Sequence, residues 1–453
     1  MKNTKKWNIS FLAGISATAL AFGLILAGCV GLATGGPAGG GGMAGPAAEQ
    51  LASDLNAVKG GSAKASGGTV TLSGEIWLET DLTVPAGVTL DLMADGAALG
   101  LKDGAVLTVN GTVNAAGHGD HGGGWVDGGL RIDDGATAIN GSGTIRLADK
   151  GRLLSVWGGN GRKLTLEGVT LVGLADNDQS LVSIGGGSML VMKSGAITGN
   201  THTDSNISSG GGVEIYEDGA FTMEGGEISG NTAKGSHGAN GGGVQVWSGT
   251  FTMSGGTISG NAADGGGFSN AGGVNVGENA TFTMSGGTVS DNRAEGGGGV
   301  AVTRNSTFTM SGGAISGNTA AGSGGGVRIF NGDNKGGGTF TMEGGAISGN
   351  TAKYGGGVSV SESTFTLKGG RIQGGEDSDG FTKNTVYGDD GGWWCMALDV
   401  YKGTAKWGTG GAYTQGPVSY DPGGDRDGGS NIVTLDDNGS GGVSGTLIAI
   451  PAK

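Results

Sequence analysis

The chain has 453 residues, a formal net charge of −14, and 108 glycines against only 6 prolines. There is no strict G-x-y period, so it is not collagen, and glycine alternates with Val, Ile, Phe and Met too regularly for a disordered chain. The acidic balance goes from −14 to −17 once Lys2, Lys5 and Lys6 of the leader are removed, and it argues against nucleic acid as a partner of the folded body.

The first element is an address. Residues 1–28 open with the basic MKNTKKW, continue as an apolar run over 9–28, and close on Leu26-Ala27-Gly28 before Cys29. These positions resemble a bacterial lipobox. The resemblance implies a cleaved lipoprotein signal peptide, a diacylglycerol on the Cys29 thiol, and an exported protein held at the envelope, expectedly at the outer membrane or cell surface. Residues 29–46 are glycine-rich and read as a flexible tether. With Cys29 lipidated, Cys395 has no intrachain partner, so the fold does not depend on a disulfide.

Residues 47–68 are expected to cap the N-terminal end, because AAEQLASDLNAV (47–58) puts Leu51, Leu55 and Val58 on one helical face. Residues 69–163 keep a rhythm of short strands and glycines (GGTVTLSG, GVTLDL, GAVLTVNGTV) without a consensus. Over 164–375 a consensus takes hold. Phe221, Phe251, Phe282, Phe308, Phe340 and Phe365 head near-copies of one phrase, preceded by weaker copies at Leu164 and Leu190, at intervals of 26, 31, 30, 31, 26, 32 and 25 residues. Each full unit runs GGGVxV, a variable loop, TFTMSGG, then xISGN.

Three short strands of period 2 per unit cannot bury a core alone, whereas stacked units can. The expected fold is all-β: a right-handed parallel β-helix with three strands per coil, a helical cap at the N-terminus and a second cap within 376–453, where Trp393, Trp394 and Trp407 are available to cover the last coil. Alternation sends Val244, Val246, Phe251, Met253 and Ile258 inward. The glycine pairs are expected at turns needing positive φ, and the closing asparagines (Asn200, Asn231, Asn261, Asn292, Asn318, Asn350) in a ladder that tolerates the left-handed conformation.

Gly242-Gly243-Val244 followed by Ile258-Ser259-Gly260-Asn261 is similar to the repeat of chlamydial polymorphic outer-membrane proteins, which pairs a GGAI tetrapeptide with FxxN. Ile replaces Phe here, and Phe381-Thr382-Lys383-Asn384 is the literal FxxN. The resemblance spans about residues 180–385. It implies a pectate-lyase-like solenoid and a surface-displayed, often adhesive passenger. The sequence ends at GTLIAIPAK without the membrane barrel of that family, so the lipid on Cys29 is expected to replace it as the anchor.

The same superfold hosts polysaccharide-processing enzymes, so catalytic constellations need testing. The middle position of GGGVxV, read as outward, carries Glu214, Gln245, Asn275, Ala301, Arg328 and Ser359, with no carboxylates in adjacent coils. Gly117-His118-Gly119 matches the GHG of polygalacturonases but lacks their preceding aspartates. His118-x-x-His121 with Asp120 has no third ligand in view, so no metal site is expected. The loops Glu376–Asp379 and Asp421–Asp427 leave calcium as a secondary option outside any recognised loop motif. Cys395 reads as a structural thiol.

The leading expectation is therefore a non-enzymatic surface protein without cofactor, presenting variable loops (201–209, 234–240, 264–271, 331–338) to a host or matrix surface or a glycan. The alternative is a carbohydrate-binding or polysaccharide-processing protein. Trp247 is a candidate for sugar stacking. Thr252, Thr283 and Thr309 belong to paired T-x-T rows that form a flat ligand-facing array, similar to the face of β-helical ice-binding proteins.

Overall fold

The turn repeated along the chain is a strand that can bury only half of itself. In Thr281–Met284, Thr307–Met310 and Thr339–Met342, Phe and Met are buried while both threonines are partly exposed. Stacking such strands parallel and in register gives every backbone group a partner in the next turn and closes the apolar faces onto one interior. The computed structural model describes residues 44–373, except 121–124, 127–128, 159–160, 267 and 333–334. Beyond them it describes 384–387 and the strands at 393–394, 398–401, 404–407 and 432–434. It is a parallel β-solenoid.

Three long sheets enclose the interior. The valine sheet stacks Val213–Ile215, Val244–Val246, Val274–Val276 and their equivalents. The phenylalanine sheet stacks Gly219–Met223, Gly249–Met253, Thr281–Met284 and onward. The isoleucine sheet stacks Glu227–Ser229, Thr257–Ser259 and Thr288–Ser290. Register is kept residue for residue, so like side chains pile on like. From Phe221 to Phe365 successive ring centroids lie 4.9, 4.8, 4.6, 4.6 and 5.1 Å apart, with interplanar angles of 6–7° until the last pair opens to 23°. These distances fall in the range of offset stacking. Upstream the phenylalanine row continues with Leu190 and Leu164, and the methionine row with Met192, Leu166, Ile139 and Leu107, all buried.

The second glycine of each pair has positive φ, as expected. Gly287 sits at φ 83°, and a Cβ there would come within 2.6 Å of the Met253 Cε of the preceding turn. The asparagine ladder also forms, with its geometry shifted by one residue. The left-handed conformation falls on the residue before each asparagine, at Gly260 (φ 63°) and, where Ser-Asp-Asn replaces Ser-Gly-Asn, at Asp291 (φ 57°). The asparagines are thereby free to point inward, where Asn200, Asn231, Asn261, Asn318 and Asn350 are fully buried. Asn261 shows the pattern. Its backbone N–H and its Nδ2 both donate to Asn292 Oδ1, at 2.9 and 3.0 Å, and Nδ2 also donates back to the Ile228 carbonyl at 2.9 Å. The ladder reaches Asn384 of the FxxN segment, to which Asn350 donates at 2.9 Å; Phe381–Lys383 lie outside the described residues.

A fourth sheet stands outside the three. After each asparagine the chain runs outward as Thr201–Asp204, Thr232–Gly235, Ala262–Gly265, Arg293–Gly296 or Thr319–Ser323, paired parallel from turn to turn. In the 30- and 31-residue units it returns as Ile207–Ser209, Gly238–Asn240 or Phe268–Asn270, which also pair with one another. In the 26-residue unit, Arg293–Gly296 alone pairs with both the outgoing strand (at Ala262) and the returning one (at Asn270). The loops at 201–209, 234–240 and 264–271, expected as variable edges, are thus an ordered flange. Ala233, Ala239 and Ala263 form a small core of their own within it.

At the N-terminal end, the helix Ala44–Asn56 buries Leu51 and Leu55 against the solenoid. Gly61–Ser66 then pairs antiparallel with the first long strand, Thr69–Leu78, and covers the edge of that sheet. No helix among the described residues is long and apolar enough to cross a membrane.

Candidate functional site

The outer row of the valine sheet is where the structure departs most from the sequence reading. Gln245, Asn275, Ala301 and Ser359, read as outward, are buried, while Glu214 and Arg328 of the same row are partly exposed. Arg328 Nη1 donates to Asn270 Oδ1 of a return strand at 3.0 Å, and Asn275 Nδ2 donates to Gln245 Oε1 at 2.9 Å. Burial pushes the Arg328 guanidinium below its ordinary pKa, an effect opposed by the charge of Glu295. Its plane also covers the Phe330 ring at 4.1 Å.

The flange begins only at Thr201. Upstream of it the same face opens into a cleft of about 620 Å³ lined by aromatic rings and arginines. One wall comes from the bent strand Thr69–Leu78. Its first residues pair with Thr89–Asp91 and its last four with Ala98–Leu101, so the chain passes from one face of the solenoid to the next. Trp77, Gly100 and Arg131 occupy one register row. A Cβ on Gly100 would collide with the Trp77 indole, so the glycine lets that ring lie across the strand beside it. Arg131 projects outward between the buried Leu130 and Ile132. Its Nη1 meets Glu75 Oε1 at 2.8 Å, the same oxygen that accepts from Trp77 Nε1 at 2.5 Å.

The opposite wall lies just past the ends of the valine-sheet strands. Trp157, Gly185 and Tyr216 follow the registered strands Leu154–Val156, Val182–Ile184 and Val213–Ile215. With no side chain at Gly185, Trp157 and Tyr216 meet across it, centroids 4.7 Å apart and tilted by 49°. Burial raises the Tyr216 phenol above its ordinary pKa, partly offset by the positive charge of Arg152 and a side-chain hydrogen bond with Ser183. Arg162 is held by Asp134, at 3.0 and 3.2 Å, and by the Trp157 carbonyl, with Asp133 4.0 Å away.

Arg152 differs from the other two arginines. Its backbone exchanges two 2.8 Å hydrogen bonds with His118, whose Nε2 lies 2.5 Å from the Leu130 carbonyl. Its side chain has no hydrogen-bond or ion-pair partner among the described residues, and its Nε is buried without an acceptor. His118, read from sequence as a loop histidine, is therefore a buried brace on the cleft wall. The lining holds one carboxylate, Asp133, so the two-carboxylate arrangement of glycoside hydrolysis is not assembled there among the described residues.

The candidates singled out from sequence fall elsewhere. Trp247 stands one turn beyond Tyr216 in the same column, outside the cleft lining. Its Nε1 donates to Glu214 Oε1 at 3.0 Å and its ring lies 5.8 Å from the Arg304 guanidinium carbon. Thr252, Thr283 and Thr309 sit on the outer face of the phenylalanine sheet in unbroken register, a different face from the cleft. Cys29, His121, Cys395 and the acidic loops at 376–379 and 421–427 lie outside the described residues, as do the side chains of Trp393, Trp394 and Trp407. Among the described residues no three His, Cys, Asp or Glu side chains converge as a metal site.

Sequence reading missed Trp77, Arg131, Arg152, Trp157, Arg162 and Tyr216, because five of them come from turns with no consensus. The available signal was an aromatic residue directly after a valine-sheet strand, at Trp157, Tyr216 and Trp247. No family model, curated protein or solved structure matches the chain.

Proposed function

We propose that this is a lipid-anchored, non-enzymatic binding protein of the bacterial envelope that uses the arginine–aromatic cleft to hold a glycan, as an adhesin does. The cleft carries this reading: Trp77, Trp157 and Tyr216 offer ring faces for stacking, with guanidinium donors between them and a volume inside the usual range for ligand sites. The lipobox at Leu26–Cys29 supports the anchor, and the likeness of the GGV and ISGN segments to polymorphic outer-membrane protein repeats supports surface display.

The test is a glycan array probed with the full-length lipoprotein in detergent, beside an assay for newly formed sugar ends. Binding without turnover is expected. Trp157→Ala should weaken binding by about tenfold or more through loss of stacking, and Cys29→Ser should move the protein out of the membrane fraction. Glycan turnover would overturn the non-enzymatic reading, and absence of any glycan ligand would overturn the cleft's role.

A further inference from the structure

The three arginines of the cleft are not equivalent. Arg131 is paired with Glu75, and Arg162 with Asp134 and Asp133, so the charge of each is largely answered within the protein. Arg152 is not. We propose that Arg152 is the receptor for an anionic group, and that the ligand of the cleft is an acidic glycan whose carboxylate or sulfate docks there while its ring rests against Trp157. This inference rests on the glycan-binding reading above.

Several observations converge on Arg152. A buried N–H without an acceptor is unfavourable unless a ligand or water supplies one; Arg131 Nε and Arg152 Nε are both such donors, but Arg131 is already paired with Glu75 through Nη1. The backbone that carries the side chain is fixed in advance, since it is held by His118 from both directions and His118 is itself buried against Leu130. Arg152 lines the same cleft as the Trp157–Tyr216 platform, and its charge is felt at the Tyr216 phenol. A guanidinium presents its donors as a planar fork that matches carboxylate or sulfate oxygens, and partial exclusion of water strengthens that pairing.

The whole chain carries a formal charge of −14, so long-range electrostatics repels a polyanion. Among the described lining residues there are three arginines, and the carboxylates of Glu75, Asp133 and Asp134 answer two of them, so Arg152 is the cation left for a ligand. A neutral sugar could use the rings but would leave the Arg152 donor unanswered, so discrimination between acidic and neutral glycans follows from one residue.

The experiment titrates the full-length lipoprotein in detergent with three oligosaccharides of equal length: a polyuronate, a sulfated glycan and a neutral glucan. At low salt, at least one acidic oligomer should bind about tenfold or more tightly than the glucan, and added salt should shrink that margin. Whether uronate or sulfate binds better identifies the group. Arg152→Gln should bring acidic affinity down to the level of the glucan, and Arg152→Lys, which keeps the charge but loses the fork, should restore part of it. Should Arg152→Gln fail to fold by circular dichroism, the charge and salt comparison on the wild type decides alone. Equal affinity for acidic and neutral oligomers, or a margin unchanged in Arg152→Gln, overturns the anion receptor and leaves glycan binding standing. Binding to none of the three overturns both.

Discussion

The regular turns from 164 onward and the irregular turns before them share one interior but treat their outer surfaces in opposite ways. In the regular region, repetition occupies every position: phenylalanines stack inside, asparagines close one corner, and the outer row of the valine sheet is buried at Gln245 and Asn275. In the irregular region the lumen is equally dry, with Leu107, Val109 and Ile139 fully buried. There, however, the outer face is left uncovered and furnished with side chains that occur once. A repeat is good at making a column and poor at making a site, because a site needs different groups at adjacent places. Here the cleft lies mainly where the repeat gives way.

Four substitutions test this division, in decreasing order of effect. Phe282→Ala removes a ring from the middle of the stack and is expected to cost about 3–5 kcal/mol in thermal or denaturant unfolding, while Leu107→Ala in the irregular lumen costs about 2–5 kcal/mol. A negligible cost at Phe282 would mean that the stack is not what holds the regular turns together. Asn292→Ala comes next. It removes the Oδ1 that accepts twice from Asn261, and it leaves the Ile258 carbonyl without its Nδ2 donor. The expected loss is about 3 kcal/mol, measured the same way, since buried groups left unpaired cost more than the bonds were worth.

The smallest effect belongs to the cleft. Tyr216 has its pKa raised on folding, so the folded protein holds the phenol neutral where the unfolded chain ionises. Its contribution to stability is fully present below the ordinary tyrosine pKa of about 10 and is lost as pH rises through the higher folded value. Unfolding followed from pH 8 to 12 should therefore show an alkaline decline that is shallower in Tyr216→Phe. Identical profiles would indicate that the phenol is solvated in the folded state.

Much of the column was legible in the sequence. Phe, Met, Val and Ile at fixed places in each unit dictate which sides face in, and one-to-one register follows because a slip by one residue would turn every phenylalanine to solvent. The left-handed turn was placed one residue late, since asparagine and glycine both tolerate it and only the buried amide network shows which of them takes it. The flange was illegible for a physical reason. Segments such as Thr232–Gly235 and Ala262–Gly265 have no period-2 apolar pattern, and they become strands because the preceding asparagine delivers them beside their own copies. The cleft was harder still: Trp77, Arg131, Arg152 and Tyr216 are distant along the chain, and only turn-by-turn register brings them to one face.

The asparagine ladder has a corollary for how such a molecule changes length. From Asn231 to Asn350 each rung offers the same two donors to the next rung, so along that stretch the faces above and below a turn are chemically alike at this corner. Excising the segment from one asparagine to the next, or duplicating it, rejoins matching surfaces. The protein can therefore grow or shrink by whole cassettes, each adding about 4.8 Å of height, with no new contact to be invented at the seam.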